Sequence, residues 1–425
     1  RAEVLLRGGV ALWHLCQHPG NEQNSTSGTL MTECLQDASR VLDEGLAAID
    51  EKKALQNTSL EVAVAGAVAR CEIFLHSGNN DSLDLFSLLT HVGYGPWQVL
   101  QDSSIELPLS IYEPGLHVCI RGFAKIQRYD LAMQAMKDLV AKVSSNKEAR
   151  HRLVRTSISV GKKLIEGVEE RIEQDSTTSK RNGFSEDEIE FIGQLLDFTR
   201  AATEQLEVLS WVAVTLGRLG FPGDGLVASV PEGKKKSFLT QDALAIEGIL
   251  SHAKLPQLAK TSWRRELVAV KSNLGQWDEA VEQMRVILAD PQNNRSPMLQ
   301  QYAADLFQEA AQDSQSLEQA RGYFREAIVG SRVMVGDGES IVWGWGSLAS
   351  RVSTSAFSSR GAVADKMRDI YFEARYRLAD CRLAWAQKEG DTSIKIRLLK
   401  EAEADIKIET QLHPGLGGDT LRERF

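Results

Sequence analysis

One pattern of residues recurs along this chain and constrains its fold more than any other feature. Ile126–Val140 reads IQRYDLAMQAMKDLV, and Leu274–Leu288 reads LGQWDEAVEQMRVIL. In both, a large aromatic (Tyr129, Trp277) precedes an acid (Asp130, Asp278). Alanine follows three after the aromatic (Ala132, Ala280), methionine four later (Met136, Met284), and an apolar pair closes the copy (Leu139 and Val140; Ile287 and Leu288). Leu317–Ile328, LEQARGYFREAI, fills these columns with Leu317, Glu318, Ala320, Phe324, Ala327 and Ile328. On a helix such residues share one face and bury together. The alanine suits a close crossing of two helices, and the acid in the first turn favours the helix dipole. Any amphipathic helix shows part of this pattern, but three matched copies point to a repeat architecture.

The remaining sequence is read as helical from end to end. Helix-period segments follow one another, and alternating Val/Ile/Thr-rich runs between turn residues are almost absent. The spacing predicts helices near 115–126, 128–143, 147–174, 185–219, 238–252, 257–273, 276–290, 296–313, 316–334, 339–355, 360–388 and 392–411, with others toward the N-terminus. Most of the 10 prolines, Pro96, Pro114, Pro256 and Pro297 among them, fall where helices should start or stop. Longer breaks are expected at Asn21–Gly28, Gly93–Pro114, Asp175–Phe184 and Gly220–Ser237. The last suggests an N-terminal helical half over 1–219 and a C-terminal half over 238–425, joined by loop 220–237.

The columns resemble those of the tetratricopeptide (TPR) repeat. Leu274-Gly275-x-Trp277-x2-Ala280-x3-Met284, followed by Asp290-Pro291, matches the second half of that motif, and Trp345-x2-Leu348-Ala349 fits the opening of a first helix. Ile341–Ala349 (IVWGWGSLA) and Leu412–Gly418 (LHPGLGG) resemble stretches of large TPR-like proteins of planctomycete bacteria. The resemblance implies an all-α fold, a right-handed superhelix of antiparallel helical hairpins whose concave face presents a groove to an extended peptide or partner helix. Ala280 and Ala320 stand 40 residues apart instead of the usual 34 or so, which makes the array irregular and TPR-like. HEAT-type and other α-solenoid hairpins share the same packing logic and stay open as alternatives.

Composition narrows the function. With 49 Lys+Arg against 58 Asp+Glu and a net charge of −9, the chain offers no basic domain, which argues against nucleic acid as its main partner. No apolar run approaches the length that spans a bilayer. The five cysteines (Cys16, Cys34, Cys71, Cys119, Cys381) are far apart and odd in number, so neither a disulfide framework nor a zinc site is expected, and each is read as a small buried hydrophobe. The chain begins at Arg1 without methionine, as a fragment or a processed form would, and its localisation, cytoplasmic or envelope-associated, is left open.

Candidate sites are few. His14 and His18 stand one helical turn apart without the glutamate of a HExxH motif, and are expected at a helix end rather than on a metal. Gly233–Ser237 (GKKKS) lacks the earlier glycine and the preceding strand of a phosphate-binding loop, so a solvated basic loop is expected. Asn24, Asn57, Asn80 and Asn294 open Asn-x-Ser/Thr sequons, which matter only in a secreted eukaryotic chain. No catalytic residue, cofactor or metal ligand is assigned. Trp343 and Trp345 are the candidate partner contacts, one turned toward the groove, with sealing of the joint between repeats as the alternative. The expected role is a non-catalytic scaffold for a protein or peptide, the alternative being a helical accessory region of a larger enzyme or cell-envelope assembly.

Overall fold

The computed structural model describes residues 1–17, 27–52, 59–77, 81–143, 146–174, 183–221, 230–358, 360–416, 418 and 422–423. The chain divides into two compact units, Arg1–Val208 with Ala228–Val230, and Leu209–Val227 with Pro231–Phe425. Among the described residues both are built from helical hairpins, and one two-stranded sheet interrupts them.

The first unit contains α1 (Ala2–Gln17), α2 (Ser27–Lys52), α3 (Leu60–His76), α4 (Ser82–Thr90), α5 (Pro96–Gln101), α6 (Leu109–Lys125), α7 (Tyr129–Val143), α8 (Lys147–Gln174) and α9 (Glu186–Ala201). α1 and α2 pack antiparallel: Leu6 meets Gly45, Gly9 meets Leu42, and Cys16 meets Cys34. A Cβ on Gly9 would lie 2.6 Å from the Leu42 side chain, so the glycine lets the two helices approach. Cys16 and Cys34 form a disulfide, with Cα atoms 6.2 Å apart, which corrects the expectation that all five cysteines are unpaired. Sequence spacing concealed the pair because its partners lie on neighbouring antiparallel helices. The other three thiols are free and buried.

The hairpin α6/α7 turns in two residues past a C-cap at Ile126. Gln127 takes a left-handed conformation (φ 61°), its N–H bonds the Ala124 carbonyl and the Arg128 N–H bonds Phe123, the two bonds of a Schellman cap. Pro114 lies inside α6 and not at a helix start, and α6 begins six residues earlier than its periodicity suggests. The segment expected as one helix over 185–219 is two, α9 and α10 (Leu206–Gly220), separated at Ala202–Gln205. α9 opens with a reciprocal capping box between Ser185 and Glu188.

The second unit continues from α10 through α11 (Glu232–Leu250), α12 (Gln257–Asn273), α13 (Trp277–Leu288), α14 (Pro297–Asp313) and α15 (Leu317–Val329). After β1 (Ser331–Val335) and β2 (Gly338–Val342) come α16 (Gly344–Ser358), α17 (Ala362–Lys388) and α18 (Thr392–Leu412). The three alanines of the repeat columns, Ala132, Ala280 and Ala320, are completely buried, as are Met284 and Phe324, while Asp130, Asp278 and Glu318 are exposed. The α12/α13 turn repeats the α6/α7 geometry, with Gly275 (φ 74°) in the place of Gln127. The α14/α15 turn, of the same length, does not: Ser316 caps α15 by accepting from the Gln319 N–H.

The antiparallel hairpin β1/β2 replaces the ends of the helices expected over 316–334 and 339–355. Gly336 and Asp337 form its tip, and β1 itself carries exposed Val333 and Met334. Gly330 and Gly344, both left-handed, close the base of the hairpin tightly: a Cβ on Gly330 would collide with the Val342 carbonyl oxygen, and one on Gly344 with the Gly330 nitrogen. A single core that includes Trp345, Phe307, Phe324, Ala280 and Ala320 fills the space between α13 and α17.

Candidate partner-binding surfaces

The two tryptophans singled out from sequence are interior. Trp345 is fully buried and its indole N–H donates to Gln308 Oε1 at 3.0 Å, while Gln308 Nε2 donates to Asp380 Oδ2 at 2.7 Å. Trp343 is 9% exposed; its backbone N–H donates to Gln300 Oε1, and the Arg351 guanidinium lies 4.8 Å from its ring centre. Both rings lie in the buried core of the second unit in this conformation.

Adjacent repeats of the second unit are locked at their second helices. Tyr323 donates its hydroxyl proton to Asp278, and Gln319 Nε2 donates to the same oxygen at 2.6 Å. Trp277 Nε1 donates to Asp313 Oδ2 at 2.6 Å. The acid column of one repeat is thus read by the next, a role beyond the helix dipole. These residues line an open cavity of about 420 Å³. First helices carry a polar strip instead. Arg265 and Glu266 of α12 act electrostatically on Tyr302 of α14, whose phenol burial pushes up to about 12. Further along, Arg377 of α17 binds Glu373 at 2.9 Å and Asp305 at 3.6 Å. Arg265, Glu266 and Glu309 are exposed.

Asp242 of α11 is the second unit's most unusual acid. It is 2% exposed, and its Oδ1 has no hydrogen-bond partner in the described structure. Burial, reinforced by the Glu266 carboxylate, raises its pKa to about 8. No motif marks it in the sequence.

The first unit holds a cavity of about 390 Å³ that sequence reasoning did not find. Arg121, Lys125, Lys163 and Arg171 bring four cationic side chains to its lining against one carboxylate, Glu188. Arg121 is held by Glu72 at 2.8 Å, and Arg171 by Glu188 at 2.9 Å. Glu188 also accepts from the Tyr129 hydroxyl at 3.0 Å. Burial and then the Lys163 charge lower the pKa of Lys125, whose ammonium lies 5.5 Å from the Phe74 ring centre. Leu75, Ala124, Val160 and Leu164 supply apolar wall. The signal was invisible because five helices, α3 and α6 to α9, contribute these residues.

Other expected features fall out simply. His14 ends α1, and His18 lies outside the described residues, as do Asn24, Asn57, Asn80, and residues 175–182 and 222–229 of the two expected loops. Gly233–Ser237 is the first turns of α11 and not a loop; Lys235 pairs with Glu232 at 2.9 Å. Among the described residues no three His, Cys, Asp or Glu side chains converge in a metal-like group, and no helix is long and apolar enough to cross a membrane.

The geometry defines a class, the all-α helical-hairpin repeat protein. No protein family and no curated protein matches the chain. Among solved structures, a circular tandem repeat protein with novel repeat topology and enhanced subunit contact surfaces aligns with 97% of this chain and 99% of its own, at 14% identity and a TM-score of 0.32.

Proposed function

We propose that this chain is a non-catalytic interaction scaffold of the TPR-like, planctomycete type, which takes an extended peptide or partner helix along its first helices. One observation carries the reading. The hairpins α12/α13 and α14/α15 satisfy one another through second-helix residues Asp278, Gln319 and Tyr323, while Arg265, Glu266 and Glu309 on the first helices stay exposed. Repeat proteins separate a stacking surface from a binding surface in this way. A photo-crosslinking residue placed at Glu266 or Glu309 tests it against one placed at Gln292 or Asp337 in the connections. Adducts from the first-helix positions support the groove, and adducts confined to the connections contradict it.

A second reading is an accessory region of a larger enzyme or cell-envelope assembly. The Cys16–Cys34 disulfide favours it, since such bonds persist in oxidising compartments. Fractionation of native cells, with the thiol state of Cys16 read by alkylation, separates the two.

A further inference from the structure

We propose that the cavity walled by α3, α6, α7, α8 and α9 in the first unit binds a small organic anion, a carboxylate or phosphate carried on a short apolar body. The proposal goes beyond the scaffold reading and does not depend on it.

Charge and shape agree on that ligand. The volume of about 390 Å³ lies in the range of small-molecule sites. Arg121 and Arg171 are paired with Glu72 and Glu188, so they hold guanidinium donors at the wall in a fixed place, and the net positive charge of the lining comes from the lysines. Lys125 and Lys163 stand on facing helices and carry flexible ammonium groups to the same lining. Leu75, Val160 and Leu164 then give an apolar body somewhere to rest.

Two residues that weaken the fold locally both belong to this lining. Within the helices of this unit, a Cβ added to Gly9, Gly45, Gly66, Gly115 or Gly122 would come within 3 Å of a leucine, so close packing explains each glycine. Gly167, in the middle of α8, has nothing within 4 Å of an added Cβ. Packing gives no reason for a residue that disfavours the helix, but its missing side chain leaves the cavity open. Gly8 has similar space but does not line the cavity. Gln127 shows the reverse. It occupies a left-handed position that the matching hairpin fills with Gly275, and it keeps an amide side chain on the cavity lining. Strain retained at such a point is a mark of a ligand site.

Calorimetric titration of the full chain with octanoate, octyl phosphate and the neutral octanamide tests the assignment. One octanoate or octyl phosphate per chain is expected, with the preferred head group told by comparing the two. Lys163→Gln, at an exposed position, should weaken the anion about tenfold, the loss of one charge-assisted contact. Gly167→Leu should abolish binding while circular dichroism stays unchanged, because its side chain enters empty space on a helix it favours. The proposal is overturned by no saturable binding of either anion at millimolar concentration, by equal binding of octanamide, or by binding that Gly167→Leu leaves intact.

Discussion

Gln127 and Gly275 are structural equivalents: each stands one residue past a helix C-cap, left-handed at φ 61° and 74°, between the same pair of backbone hydrogen bonds. Only one of them is the residue this conformation prefers. The left-handed region costs a residue with a Cβ about 1–2 kcal/mol, partly offset by the lower unfolded-state entropy of a non-glycine chain.

Gln127→Gly is therefore expected to raise stability by about 0.5–1 kcal/mol, and Gly275→Ala to lower it by about 1 kcal/mol, although an added Cβ at Gly275 meets nothing within 4 Å. Urea unfolding of both variants checks the pair. Loss of stability in Gln127→Gly would mean that the glutamine side chain contributes more than its backbone costs.

The disulfide between α1 and α2 closes a short stretch, with a sequence separation of 18. Replacing both Cys16 and Cys34 by alanine, or adding reductant, should destabilise the first unit by about 3 kcal/mol. Cys71, Cys119 and Cys381 are buried, and burial pushes their thiols up, so a thiol reagent should find none of them in the folded, unreduced protein. Denaturant should release those three. Release of all five without reductant would exclude the disulfide.

Asp242 makes stability depend on pH with a definite sign. Its folded pKa of about 8 lies above the ordinary value of 3.8, so the folded state holds a proton that the unfolded chain releases. The contribution is fully present below pH ~4 and is lost as pH rises toward 8, on the order of a few kcal/mol. Asp242→Asn should remove this slope between pH 4 and 8 in urea titrations. An unchanged slope would place the titration elsewhere.

Trp345 should tolerate little. Trp345→Phe keeps most of the ring but leaves Gln308 Oε1 without its donor at 3.0 Å, and is expected to cost about 1–3 kcal/mol. Trp345→Ala adds a cavity and should cost about 3–5 kcal/mol. Thermal unfolding distinguishes the two; equal losses would assign the whole effect to the hydrogen bond.

The sequence made the hairpins legible where packing repeats itself. The alanine and the methionine or Phe324 of each copy are buried as their columns require, as are the closing apolar pairs apart from half-buried Val140, because helical periodicity alone decides which residues share a face. It failed where partners come from distant segments or from turn chemistry. The split after Ala202 has no proline or glycine to announce it, and β1/β2 hides in a segment whose ends continue helical patterns. Cys16 finds Cys34 through helix pairing, and the cavity cations meet through a fold that one-dimensional spacing does not encode. Trp343 and Trp345 looked like anchors because indole rings serve cores and interfaces alike; burial places them in the core.

Hydrogen–deuterium exchange of the full chain, with and without a partner captured by the photo-crosslinking variants, tests the scaffold reading most directly. Slowed exchange on binding should follow α12 and α14, around Arg265, Glu266 and Tyr302, and leave the tip of β1/β2 unchanged. Protection limited to the connections, with α12 and α14 exchanging as in the free chain, would contradict it.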